Sequence, residues 1–266
     1  MAAGPAWAAA DSVWDGDARS AARLIAGAAL RDSAAPLWRA GLEIRLGPGW
    51  KTYWRYPGDS GVPPRFDFAG SENVGNVTVL WPAPHRFTDD GGASIGYKDN
   101  VVFPLRVTPR DAGKPVTLRL RLDYAVCEKL CVPAEAKAAL TFAGSPSVHD
   151  AAIAAAEARV PKPVARGAAG PLAIVTARRV AGAGKPLVHV DVVAPAGTDA
   201  ELFAEGPTPD WALPVPLPVQ GAPAGQRRFG FELDGLPTGA DPKGPLDIRL
   251  TAVAGQEAIE VTIHLD

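Results

Sequence analysis

Long apolar runs are missing from this 266-residue sequence. Residues 24–30 (LIAGAAL) make a short stretch interrupted by Gly27, far below the roughly 20 residues a helix needs to cross a bilayer. No membrane span is therefore expected. Charge of one sign is missing too: 27 basic and 29 acidic residues leave a net charge of −2, with no basic stripe. Nucleic acid is a poor partner for such a balance. Histidine is sparse, and His85, His149, His189 and His264 are scattered without metal-ligand spacing. Cysteine is rarest among the reactive types, with only Cys127 and Cys131, and the C-x-x-C motif of thioredoxins is absent. The N-terminus (MAAGPAWAAADS) lacks a basic region followed by an apolar core, so an intact export signal is absent. Ala8, Ala9 and Ala10 look like the small-residue remnant of a cleavage region.

What is abundant is punctuation and alternation. The chain has 28 Gly and 27 Pro without a triplet period, which suits many short strands joined by turns. Three segments alternate cleanly: residues 38–46, 116–126 and 259–265. Period two with one polar face predicts antiparallel strands covering a core on one side. Further strands are expected at 65–68, 76–81, 101–107, 136–142, 172–178, 187–193, 200–204, 228–233 and 246–253. One helix is expected, with Ser145 as cap, Pro146 in its first turn and residues 148–159 as its body. His149 on that helix and His264 on a polar strand face should be solvent-exposed. The Pro- and Gly-rich residues 161–170 follow as a linker. The expected class is all-β: two β-sandwich domains with one short helix and linker between them. The expected division is a flexible segment at 1–19, a sandwich at 20–145, helix and linker at 146–170, and a second sandwich at 171–266.

The two cysteines are separated by Glu128, Lys129 and Leu130, close enough for a tight turn to bring them within disulfide reach. Closing a loop of about five residues restrains the unfolded chain by only ~2 kcal/mol. A short loop adds little stability but keeps both sulfurs together for exchange. A structural brace stays open as an alternative. Zinc is disfavoured because two cysteines are half a closed site, whereas soft Cu(I) could be held by two thiolates. Among the flanking charges, Glu128 and Asp123 are acidic and only Lys129 favours a thiolate, so strong activation is not expected.

Three ordered motifs carry a resemblance: residues 49–64 (GWKTYWRYPGDSGVPP), 96–105 (GYKDNVVFPL) and 124–133 (YAVCEKLCVP). Together they resemble the N-terminal periplasmic domain of the bacterial thiol–disulfide interchange protein DsbD, closer to the ScsB-like branch, over about residues 20–145. The resemblance implies an immunoglobulin-like redox domain in the periplasm, a component of a protein-disulfide reductase that needs no cofactor. It implies electrons taken from a thioredoxin-like domain or membrane electron-transfer protein and passed to oxidised periplasmic thioredoxin-fold proteins. Cys131 would form the mixed disulfide and Cys127 would resolve it. The loop matching the family's cover is residues 84–92 (PHRFTDDGG), with Phe87 as aromatic lid and His85 and Arg86 beside it. Tyr53 is the expected aromatic at the disulfide, and Tyr124 also flanks the site. The better-known DsbD members have a longer gap between their cysteines, so the turn differs here. A protein-interaction or Cu(I)-binding module with a structural disulfide is the rival reading. The Pro-rich residues 213–218 are expected to form a rigid edge connection.

Overall fold

The structure, a computed structural model, describes residues 9–31, 35–89, 92–180 and 184–266. The cleavage-region remnant therefore lies partly outside the described residues, as do two positions of the expected lid. In chain order the strands are β1 (Asp15–Gly16), β2 (Ser20–Ala29), β3 (Trp38–Leu46), β4 (Lys51–Gly58), β5 (Arg65–Asp67), β6 (Val74–Val79), β7 (His85–Asp89), β8 (Gly92–Lys98), β9 (Asn100–Pro109), β10 (Val116–Cys127) and β11 (Cys131–Phe142). After helix α1 (Asp150–Ala158) come β12 (Lys162–Pro163), β13 (Ala173–Val180), β14 (Leu187–Val193), β15 (Ala200–Glu205), β16 (Leu217–Val219), β17 (Arg227–Glu232), β18 (Leu246–Ala254) and β19 (Glu257–Leu265). The fold is all-β, as the alternation predicts, and immunoglobulin-like, as the family resemblance implies. Two compact units form: one from the residues through Arg55, Val62–Pro84 and Gly96–Val160, the other from Tyr56–Gly61, His85–Ile95 and Pro161–Asp266.

In the first unit, one sheet runs β1-β2-β3-β9-β6, and a second carries β11-β10-β4 with β5 against β10. Strand β10 shows why its sequence makes a strand. Val116, Leu118, Leu120, Leu122, Tyr124 and Val126 are buried, while Arg119 and Arg121 between them are exposed. Each fully buried leucine is worth about 1.5–3 kcal/mol, an upper bound because the unfolded chain already hides part of that surface. The core of this unit includes Leu24, Leu42, Ile44, Leu105 and Phe103, whose ring meets Phe66, Trp81 and Tyr97 edge-on.

Two expectations change here. The N-terminal segment, expected to be flexible, is paired from Ala10 onward. Ala26 donates its N–H to the Ala10 carbonyl at 2.7 Å, and Asp11 bridges to Ile25. Helix α1 begins at Asp150, not after Ser145, because the Asp150 carboxylate accepts the Ser147 N–H at 2.8 Å and closes the preceding turn. The helix covers the outer face of β2 and β3: Ile153 is fully buried, and a Cβ on Gly27 would sit 2.8 Å from its Cδ1. Arg39 pairs with Asp150 at 3.1 Å, and Arg106 with Glu157. The Arg39 end of the polar face of β3 is thus roofed, while Arg45 at its other end is exposed. His149, expected to be solvent-exposed, is half-buried, its Nε2 lying 2.8 Å from Asp11 Oδ2. His264 is exposed and pairs with Asp247.

The second unit stacks β12-β19-β18-β15 and β13-β14-β17-β16. Its core includes Val188, Val190, Val192, Leu202, Phe229, Ile248 and Leu250. Strand β16 lies within the Pro-rich stretch and takes the sheet edge, where Pro218 costs no interior ladder bond. Asp191 is buried among these strands and accepts two bonds from Arg228, at 2.6 and 2.9 Å, and one from Thr176 at 2.8 Å.

Candidate functional site: a hairpin-tip disulfide

Strands β10 and β11 pair in continuous register from Val116↔Phe142 to Cys127↔Cys131. The register ends in the hairpin turn Glu128-Lys129-Leu130, so the two cysteines face each other across its last rung. They form a disulfide with Cα atoms 4.1 Å apart. The two sulfur-bearing residues are not equivalent. Cys127 is only 6% exposed, whereas Cys131 is exposed. Beside Cys131 the tip presents Leu130, 78% exposed.

Strand β4 lines the inner side of β10, with Thr52 across from Val126 and Lys51 across from Cys127. Thr52 Oγ1 donates to the Ala125 carbonyl at 2.9 Å, fixing the two strands together. Tyr53, Ala125 and Cys127 form one buried cluster. From that cluster the Tyr53 hydroxyl reaches Cys131 Sγ at 2.9 Å, although the two residues are 78 positions apart. Since a disulfide sulfur has no proton to give, the phenol is the donor.

The other two motifs supply the frame. Gly49 has φ +82°, and a Cβ there would lie 3.2 Å from Glu128 Oε1, so glycine lets the chain pass beneath the hairpin tip. Gly96 on β8 is equally constrained: a Cβ there would fall 1.9 Å from the Thr52 carbonyl oxygen. Only glycine permits that approach to β4. Tyr97, next to it, donates to the Pro82 carbonyl at 2.8 Å.

The expected site residues are distributed over both units. Tyr53, Cys127 and Cys131 come together as described. Tyr124 lies on the opposite face of β10, because residues of unlike parity on a strand point to opposite sides. Its hydroxyl meets Ser20 Oγ at 2.8 Å, burial pushes its pKa up, and it lines a hollow of about 300 Å³ with Asp17, Arg19 and Pro133. His85, Arg86 and Phe87 belong to β7 and to the second unit. There Arg86 donates from its backbone N–H to Glu201 at 3.0 Å and from its guanidinium to the Leu202 and Pro216 carbonyls at 3.2 and 2.7 Å. Burial lowers its pKa, against the opposing pull of Glu201. His85 lies 3.5 Å from the same carboxylate, and Phe87 is half-buried. Among the described residues no group of three or more His, Cys, Asp and Glu is arranged to hold a metal, and no helix is long and apolar enough to cross a membrane. Lys51 is the residue that sequence reasoning missed. It stands in a quoted motif, but its neighbour Cys127 is brought to it only by strand pairing.

The site is a disulfide closing a hairpin tip on an immunoglobulin-like sheet, with a tyrosine hydroxyl donating to the sulfur of the more exposed cysteine, an arrangement that suits a thiol–disulfide exchange type of domain. Residues 32–143, which include the three motifs, match the family model described as thiol:disulfide interchange protein DsbD, N-terminal. Among solved structures, the N-terminal periplasmic domain of ScsB from Proteus mirabilis is similar at a TM-score of 0.72 and 20% identity, over 96% of this chain and 98% of that one. That likeness shows a shared fold extending past the family-matched stretch. The cadherin-like domains 1 to 4 of zebrafish RET align at a TM-score of 0.19 and 8% identity, over 92% of this chain and 64% of theirs, too slight to bear on the fold. No curated protein matches the chain significantly.

Proposed function

We propose that the protein is a periplasmic thiol–disulfide exchange module that relays electrons through Cys127 and Cys131. The donor is a thioredoxin-like domain linked to a membrane electron-transfer protein, and the acceptors are oxidised thioredoxin-fold proteins. The observation that carries the reading is the unequal exposure of the two sulfur-bearing residues, Cys131 open and Cys127 covered. Exchange proceeds by attack of a thiolate along the axis of an accessible disulfide. In the oxidised protein, a donor thiolate attacks Cys131 Sγ, a donor–Cys131 bond forms, and Cys127 leaves with the electron pair. The donor's second thiol then resolves the mixed disulfide and leaves the dithiol. In the second half, Cys131 attacks the acceptor disulfide and Cys127 resolves that intermediate. The exposed Leu130 gives a partner an apolar contact beside the reacting sulfur. The periplasmic location is supported by the family match and by the location printed for the ScsB domain.

The test is mixed-disulfide trapping. Cys127→Ala should accumulate covalent adducts through Cys131 with thioredoxin-fold partners, and Cys131→Ala should neither trap nor transfer. The disulfide's potential should lie above about −300 mV, the region below which inert structural bridges fall. A lower potential, or transfer surviving in Cys131→Ala, overturns the reading in favour of a brace.

A further inference from the structure

Lys51 is an ionisable residue set inside the site, 6% exposed. It lies directly across the β4–β10 ladder from Cys127. Directly opposed residues on antiparallel strands point to one face with Cβ atoms ~5 Å apart. The face is fixed independently: Tyr53, two residues on from Lys51, clusters with Ala125 and Cys127. Lys51, Tyr53, Cys127 and Ala125 therefore share one side of the sheet, and Thr52 with Val126 the other. The same cysteine is flanked by Cys131 on β11 and by the turn residues Glu128 and Lys129. Both of those charges are exposed, and water screens them more than a buried ammonium.

We propose that Lys51 is a positioning residue that holds positive charge beside the Cys127 sulfur and stabilises it as the leaving thiolate when the disulfide opens. When a partner thiolate attacks Cys131 Sγ, the partner–Cys131 bond forms and the Cys127–Cys131 bond breaks. The electron pair stays on Cys127 Sγ, and no proton moves. A leaving sulfur stabilised as its anion departs faster. In the return direction the same charge keeps Cys127 ionised, ready to attack Cys131 and expel the partner. The two sulfurs are thus served separately: the Tyr53 phenol donates to Cys131, and Lys51 stands across the ladder from Cys127. Strand pairing supplies a cation where thioredoxin-like sites use a helix N-terminus.

The inference rests on the exchange reading, but its test needs no partner. In a Cys131→Ala background Cys127 is the only thiol, and its ionisation is followed by the ultraviolet absorbance of the thiolate as pH rises. Lys51→Met should move the midpoint up by about one unit, a roughly tenfold loss of thiolate at neutral pH. Lys51→Arg, which keeps the charge, should stay near the parent. Lys51→Gln serves in place of Lys51→Met should the latter lose its circular dichroism signature. Superimposed curves for the neutral variant and the parent overturn the role of Lys51. So does a Lys51→Arg curve displaced as far as the neutral one, since packing rather than charge would then be responsible. Failure to trap adducts at Cys131 overturns the exchange reading instead, and leaves the ionisation result standing.

Discussion

Tyr53→Phe removes one oxygen from a buried side chain and leaves the ring that packs on Ala125 and Cys127. The lost atom donates to Cys131 Sγ at 2.9 Å. In the reduced protein the same donor faces a thiolate, and hydrogen bonds to charged groups contribute about 1.5–3 kcal/mol. Taking about 2 kcal/mol, the Cys131 thiol pKa should rise by ~1.5 units at 1.36 kcal/mol per unit. The thiolate fraction below the pKa then falls about 30-fold. Nucleophilicity recovers part of this, because a more basic thiolate attacks faster with a Brønsted slope of 0.4–0.5; the net loss is about sixfold. The loss is confined to pH values below the raised pKa and reverses once both proteins are fully ionised, where the more basic thiolate of the variant reacts about fivefold faster. The assay is the pH profile of iodoacetamide alkylation of Cys131 in a Cys127→Ala background, with and without Tyr53→Phe. Profiles that superimpose refute the reasoning, since the phenol would then favour neither protonation state.

Leu130→Ser should leave thermal stability almost unchanged, because the side chain is 78% exposed, yet slow transfer to a protein partner while sparing reduction by a small dithiol; equal effects on both reductants would remove Leu130 from docking. Ile153→Ala should destabilise the first unit by about 2–4 kcal/mol in denaturant titrations, as a fully buried side chain against Gly27 is cut back. Asp191 has its pKa held down by Arg228 first and Thr176 next, against the opposing effect of burial. Its folded pKa is below its unfolded one, so its contribution is present above the unfolded value and is lost as pH falls through the folded value. Asp191→Asn should therefore lower the melting temperature at neutral pH and flatten its decline in acid, measured by calorimetry across that range. Gly96→Ala should disrupt β8 against β4 and displace Tyr53, seen as loss of near-ultraviolet circular dichroism.

How much of this was legible depends on which faces each strand buries. Strand β3 coincides with the alternating residues 38–46, and β10 and β19 contain the other two alternating segments. A sheet with one wet face writes its pattern into the chain. Strand β4 was not read as a strand because Lys51, Thr52, Tyr53 and Trp54 are all buried. With both faces covered, and two polar residues inside, no alternation survives. Strand β8 is buried in the same way over Ser94–Tyr97, with Ser94 and Gly96 in the pattern's place. Helix α1 was visible but not its start, since Asp150 closes the turn that Ser145 was expected to cap. His149 looked solvent-facing because its carboxylate partner, Asp11, is 138 positions away.

The sequence by itself determined the all-β class, the close spacing of the two cysteines, and the motifs that point to a DsbD N-terminal domain. All three are local: alternation, spacing and short ordered strings survive in one dimension. Which cysteine is exposed, which tyrosine meets it and which lysine stands across the ladder from the other were decided only by tertiary structure. Those facts depend on the register of β4 against β10, set by side-chain packing between segments far apart in the chain. A one-residue slip in that register would turn Lys51 and Tyr53 away from the disulfide and bring Thr52 to it, with no change in any motif.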